Sequence, residues 1–266
     1  MPVRLIIFLT IAFFFVGATC ATAEEGVLDK ALPAGASAQE IIQKFTAKEK
    51  EFKNVRKRCT YRQVIKIQQL DGEKPVGEYQ QVADVTLDQS GKKVKNVVFA
   101  PQPSISISPE DQYDIESRLH FTLSTDELSE YNVMYQGEQQ EDDLHTYVFD
   151  VAPKQFEKGK RYFQGRVWVD DHDFQIVKMV GKSVPDIHPN KKGKGDENLF
   201  PNFTTYREQI DGKYWYPTYS LTDDTLHFRF GDAHIRGTIK ATDYKCNTSE
   251  VASDGTGTGP GPKKPN

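Results

Sequence analysis

The sequence predicts a mainly β protein built on one large antiparallel sheet. Three observations carry that expectation. From Tyr61 onward residues alternate between two faces, as Tyr79, Gln81, Ala83, Val85 and Leu87 do against Glu78, Gln80, Asp84, Thr86 and Asp88. Turn pairs such as Asp71-Gly72, Ser90-Gly91 and Asp211-Gly212 separate many of these runs, so neighbours join as hairpins. No regular alternation of strand and helix, the mark of a parallel sheet, is present. The chain is 27% charged and 11% aromatic with a net charge of −4. That composition is globular, and its sign supplies no overall drive toward nucleic-acid phosphates.

The elements follow in order. Residues 1–23 combine Arg4, an apolar run from Leu5 to Val16 and an Ala21-Thr22-Ala23 site, the three parts of a secretory signal peptide cleaved after Ala23. The run is short for a membrane span. Lipid anchoring through Cys20 is the alternative, although Gly17-Ala18-Thr19 fits a lipobox badly. Residues 24–36 form an acidic, flexible lead-in to a single β domain over 37–249. Ser37-Ala38-Gln39-Glu40 is a capping box that opens a helix, with Ile41, Ile42, Phe45 and Phe52 on a partial apolar face. Lys53, Arg56, Lys57 and Arg58 crowd its end, where cations suit the helix dipole and are expected to be solvated.

Strand candidates then run over 62–70, 79–87, 93–99, 131–136, 145–151, 161–169, 174–181, 203–210, 214–221, 225–230 and 234–242, ten or eleven in all. One helix interrupts them: Ser108-Pro109-Glu110-Asp111 places a cap, a proline and two acids in its first turn. Thr125-Asp126-Glu127 opens a short turn of helix. Residues 250–266, rich in Gly and Pro, form a disordered tail.

Once the leader departs, two cysteines remain, Cys59 before the first strand and Cys246 after the last. An even count in an oxidising compartment permits one disulfide tying the ends of the domain, worth about 5 kcal/mol at most; two free thiols are the alternative.

Catalytic and metal motifs are weak. Asp170-Asp171-His172-Asp173 is the densest polar cluster, but it falls where a hairpin turn is expected, without HExxH spacing or an EF-hand's Gly and Glu positions. There is no GxSxG, and Ser183 lacks the elbow context of a nucleophile. The six histidines mostly sit on alternating strands. Lys191, Lys192 and Lys194 lie in a Gly/Pro/Asn loop over 185–202, a solvated segment or a contact for anionic headgroups. No catalytic residue, metal site or cofactor is therefore assigned. The aromatics of the second half carry the binding expectation. A curved sheet with few helices leaves apolar surface to be covered or occupied, with Phe163, Trp168, Phe174, Tyr206, Trp215, Tyr219 and Phe228 as groove-lining candidates.

One stretch is distinctive. Gly165-Arg166-Val167-Trp168-Val169-Asp170, followed by Ile176-Val177 and a later Trp215-Tyr216-Pro217, resembles the LolA/LolB-like outer-membrane lipoprotein-sorting proteins, and the preceding segments resemble their acidobacterial branch. Ser108-Pro109-Glu110-Asp111, Phe121-Thr122-Leu123-Ser124 and Tyr147-Val148-Phe149-Asp150 extend the likeness over roughly residues 37–245. The resemblance implies an open antiparallel half-barrel of about eleven strands with helices across its mouth, shielding acyl chains in the periplasm.

The resulting expectation is an exported, non-enzymatic periplasmic protein of a Gram-negative envelope that binds a lipid or lipoprotein acyl chain. An envelope protein partner is a further candidate, nucleic acid is not, and membrane contact is peripheral at most. A structural docking protein on the same fold is the alternative, ahead of a secreted hydrolase or metal enzyme.

Overall fold

A computed structural model describes residues 26–33, 35–189 and 194–246. The leader with Cys20, the 250–266 tail, and Lys191 and Lys192 lie outside the described residues. The fold class is the expected one: mainly β, a single open antiparallel sheet with two α-helices.

Helix α1 (Ala38–Arg56) starts at the capping box, where Ser37 accepts from the Glu40 backbone N–H and the Glu40 carboxylate accepts from that of Ser37. Strands β1 (Cys59–Asp71), β2 (Lys74–Leu87) and β3 (Lys93–Phe99) form one meander. A long crossing segment carries α2 (Pro109–Ser117) and a short 3₁₀ turn (Leu128–Glu130). A second meander follows: β4 (Tyr131–Glu141), β5 (Leu144–Pro153), β6 (Tyr162–Asp170), β7 (Ile176–Val184), β8 (Phe203–Gln209), β9 (Trp215–Phe228) and β10 (Gly231–Cys246). The order β3-β2-β1-β10-β9-β8-β7-β6-β5-β4 joins the two through the β1–β10 pair. β3 and β4 are the sheet's two edges, so the barrel does not close.

The named strands number ten because the candidates 214–221 and 225–230 are one strand, β9. The Thr222-Asp223-Asp224 stretch between them stays extended because each residue pairs with β10, opposite Gly237, Arg236 and Ile235. Asp223 there accepts from both His234 and Arg236, so cross-strand partners outweigh the turn preference of Asp.

Register decides which side chains meet the helices. Phe149, Val167, Met179, Thr205, Ser220, Ile239 and Ile65 are successive cross-strand partners, and all are buried on the face that α1 and α2 cover. Ile41, Ile42 and Phe45 of α1 pack on the β5–β7 part of this face. Ile115 and Leu119, from α2 and the residues after it, pack on β1, β2 and β10. Gly165 and Gly181 stand opposite each other, and a Cβ on Gly165 would lie 2.1 Å from the Val180 carbonyl oxygen and 2.9 Å from the Phe163 ring. The glycine of the motif is thus required by close approach of two strands under an aromatic ring.

Two further expectations meet the structure at the chain's ends. In the lead-in, Gly26 donates to Gln140 and Asp29 pairs with Glu138, covering part of the β4 edge. Cys59 and Cys246 face each other at the last β1–β10 register pair and are bonded as a disulfide.

Candidate ligand cavity

Helix α2 is held firmly at its first turn. Ser108 and Asp111 cap it reciprocally, and Pro109 occupies its first helical position. Upstream, Ser104 is stitched to Glu78 of β2 by backbone and hydroxyl hydrogen bonds. Ile115 and Leu119 anchor the helix's far end in the core. The loop before β8 folds on itself through an Ile187–Asn198 bridge, and Asn198 Nδ2 donates to the Ser108 hydroxyl at 2.7 Å. Between these supports and the ends of β1, β9 and β10 lies a cavity of about 600 Å³. Its apolar wall comes from Ile67, Ile107, Ile115, Leu226, Phe228 and Ile235. The volume is within the range of roughly 300–1,000 Å³ that ligand sites occupy.

Of the seven aromatic candidates, Phe228 alone lines this cavity. Phe163 lies under Phe121 and beside Phe203, lining a smaller hollow of about 290 Å³ between α1, the crossing segment and β6. Trp168, Tyr206 and Tyr219 fall on the other face of the sheet, in one cross-strand row that runs Trp168, Lys178, Tyr206, Tyr219, Lys240. Lys178 Nζ sits 4.8 Å from the Trp168 ring and 5.6 Å from that of Tyr206. It is buried with Glu141, 2.8 Å away. Trp215 donates to Asp173 across the hairpin ends and packs beside this row's buried cluster. Phe174 caps the edge of the core, stacked with Tyr147 beneath the Lys44 ammonium. Period-two alternation sends even and odd residues to opposite faces, and an aromatic tally cannot say which face holds the cavity.

The wall that sequence reading missed is aliphatic. Its legible signal was Ile235, on the inward set of β10 with Ile239 and Ala241.

Other polar candidates take structural parts. Asp170 accepts from the His172 and Asp173 backbone N–H groups, so the acidic cluster is a capped turn between β6 and β7. Among the described residues, no group of three or more His, Cys, Asp and Glu is placed to hold a metal ion. Arg56, expected to be solvated at the end of α1, is instead half-buried and donates to the Leu119 and His120 carbonyls. It therefore satisfies acceptors just past the end of α2, where water is scarce.

His120 lines the smaller hollow, bonded at 2.9 Å to the Tyr61 hydroxyl. Burial, with Arg56 and Lys93 nearby, pulls its imidazole down to about 3. The unfolded chain, with an ordinary value near 6.5, takes up a proton that the native state refuses as pH falls from 6.5 toward 3, so stability declines through that window. Between pH 7 and pH 5 the His120 contribution to that loss is about 2 kcal/mol. Urea unfolding at the two pH values checks this: His120→Gln is expected to flatten the difference, and an unchanged difference would contradict it.

No protein-family model matches the chain, and no curated protein does. Among solved structures it is similar to a LolA superfamily protein from Nitrosomonas europaea, at 16% identity and a TM-score of 0.35, covering 80% of this chain and 94% of that one. It is also similar to a DUF1329 family protein from Desulfovibrio piger, at 14% identity and a TM-score of 0.40, covering 79% and 93%. No described helix is long and apolar enough to cross a membrane.

Proposed function

We propose that this is an exported envelope protein that binds a lipid or acylated ligand, with the apolar chain in the cavity beneath α2, and that it performs no catalysis. A secretory leader over residues 1–23 would deliver the chain to an oxidising compartment, which the Cys59–Cys246 disulfide suits. One observation supports the binding reading above the rest: a cavity of about 600 Å³ with an apolar wall, supported on three sides by helix cap, loop and strand ends. Burial of an acyl chain against that wall is worth about 0.8 kcal/mol per CH₂, so binding needs no catalyst. A role in lipoprotein sorting is the particular form of this reading that the motif resemblance suggests.

The test fills the cavity. Ala233 lies on its wall, and Ala233→Trp is expected to weaken displacement of a fluorescent apolar probe by long-chain amphiphiles about tenfold, near 1.4 kcal/mol. Mass spectrometry of protein taken from its native envelope is expected to find a bound lipid. Lipid-free protein, together with unaltered displacement in the variant, would sink the reading.

A docking role has its own supporting observation. β3 is an edge strand, and its Val97, Val98 and Phe99 are all more than half exposed. A stable co-purifying protein lost on Val97→Lys, with no lipid bound, would favour that role.

A further inference from the structure

Five carboxylate side chains line the cavity, those of Glu110, Asp111, Asp114, Asp196 and Glu197. Arg118 is the one cation among the described lining residues. Its charge is already answered: Nε and Nη2 both donate to Asp114 Oδ2, at 3.1 and 2.6 Å, within a pair that is 3% and 1% exposed. The other oxygen of that carboxylate, Oδ1, is buried without a hydrogen-bond partner.

Two of the remaining acids are also engaged. Asp111 accepts from the Ser108 N–H and hydroxyl in the helix cap. Glu197 accepts from the Arg229 N–H, with the Arg229 guanidinium 4.0 Å away and His188 at 3.6 Å. Glu110 and Asp196 stand exposed at the rim. Arg161 lies outside the lining, seated 3.7 Å over the Phe200 ring and donating to the Pro185 carbonyl.

We infer that the cavity takes an amphiphile whose polar end is neutral or cationic and donates hydrogen bonds, and that it rejects anionic amphiphiles such as fatty acids. The inference rests on the reading of this cavity as an acyl-chain site. An anionic headgroup entering here loses hydration while facing carboxylates, with no unpaired cation among the described lining residues to receive it. An ammonium or hydroxyl does the reverse. It approaches a negative rim and offers the donor that Asp114 Oδ1 lacks, and a buried acceptor left unmade is costly.

The experiment uses the full chain at pH 7.5 with N-phenyl-1-naphthylamine as a neutral apolar probe. Dodecylamine, dodecanol and dodecanoate, which share one chain length, compete for it. The amine and the alcohol are expected to displace the probe at concentrations about tenfold below the carboxylate, a gap of one decade in affinity. Asp114→Asn is expected to abolish most of that gap. Because Asp114 is buried, a second variant, Glu110→Gln with Asp196→Asn at exposed positions, is expected to narrow it with the fold intact. Displacement by dodecanoate at equal or lower concentration overturns the inference and leaves the acyl-chain reading standing. Failure of all three chains to displace the probe removes that reading, and this inference with it.

Discussion

Replacing Glu49 by alanine is expected to cost the native state about 3–5 kcal/mol, the range for breaking a fully buried ion pair. Glu49 of α1 is 0% exposed and Arg207 of β8 only 1%. Their contact is bidentate, Nη1 to Oε1 at 2.8 Å and Nη2 to Oε2 at 3.2 Å. Nη2 also donates to the Phe121 carbonyl, so one guanidinium ties α1 and the crossing segment to the sheet. The arginine's Nε already lacks a partner, which leaves little capacity to absorb the loss. Without Glu49, a buried positive charge faces the Phe52 ring and a single carbonyl. The double change Glu49→Leu with Arg207→Met removes both charges and is expected to cost less than either single loss. Urea unfolding of the three variants reads this directly. A Glu49→Ala loss below about 1 kcal/mol, or a double variant worse than both singles, would contradict the account.

The disulfide is the second large term. Cys59 and Cys246 are 187 residues apart in sequence, so their bond constrains the unfolded chain over nearly the whole domain. It also closes the joint between the two meanders, where Cys59 packs with Phe52, Val55, Tyr214 and Tyr216. Changing both cysteines to alanine is expected to destabilise the protein by about 2–5 kcal/mol. The unfolding midpoint should fall with reductant in the natural chain and be indifferent to it in the double variant. A reductant-insensitive midpoint in the natural chain would show that the bond is absent or carries no stability.

Much of the fold was legible because its signals are local. Ser37 with Glu40, and Ser108 with Pro109 and Asp111, start helices at the positions observed. Alternation located every strand, and the one miscount came from Thr222-Asp223-Asp224, whose extended form depends on partners in β10. The candidate site was less legible. Phe228 lies on the cavity wall, whereas Trp168, Tyr206 and Tyr219 belong to a lysine-interleaved row on the opposite face. Arg56 was misjudged as solvated because its acceptors lie more than 60 residues away in sequence.

By itself the sequence determined the fold class of this protein: alternating strands joined by turn pairs, and two helices that begin at capping residues. Those properties follow from periods of 2 and 3.6 and from side chains that bond their own neighbours. Only the tertiary structure decided which aromatics face the helices, that the cavity wall is mostly aliphatic, and that carboxylates from α2 and the loop before β8 line it. Each of those depends on strand register and on where a crossing helix comes to rest, quantities set by contacts between residues far apart in the chain.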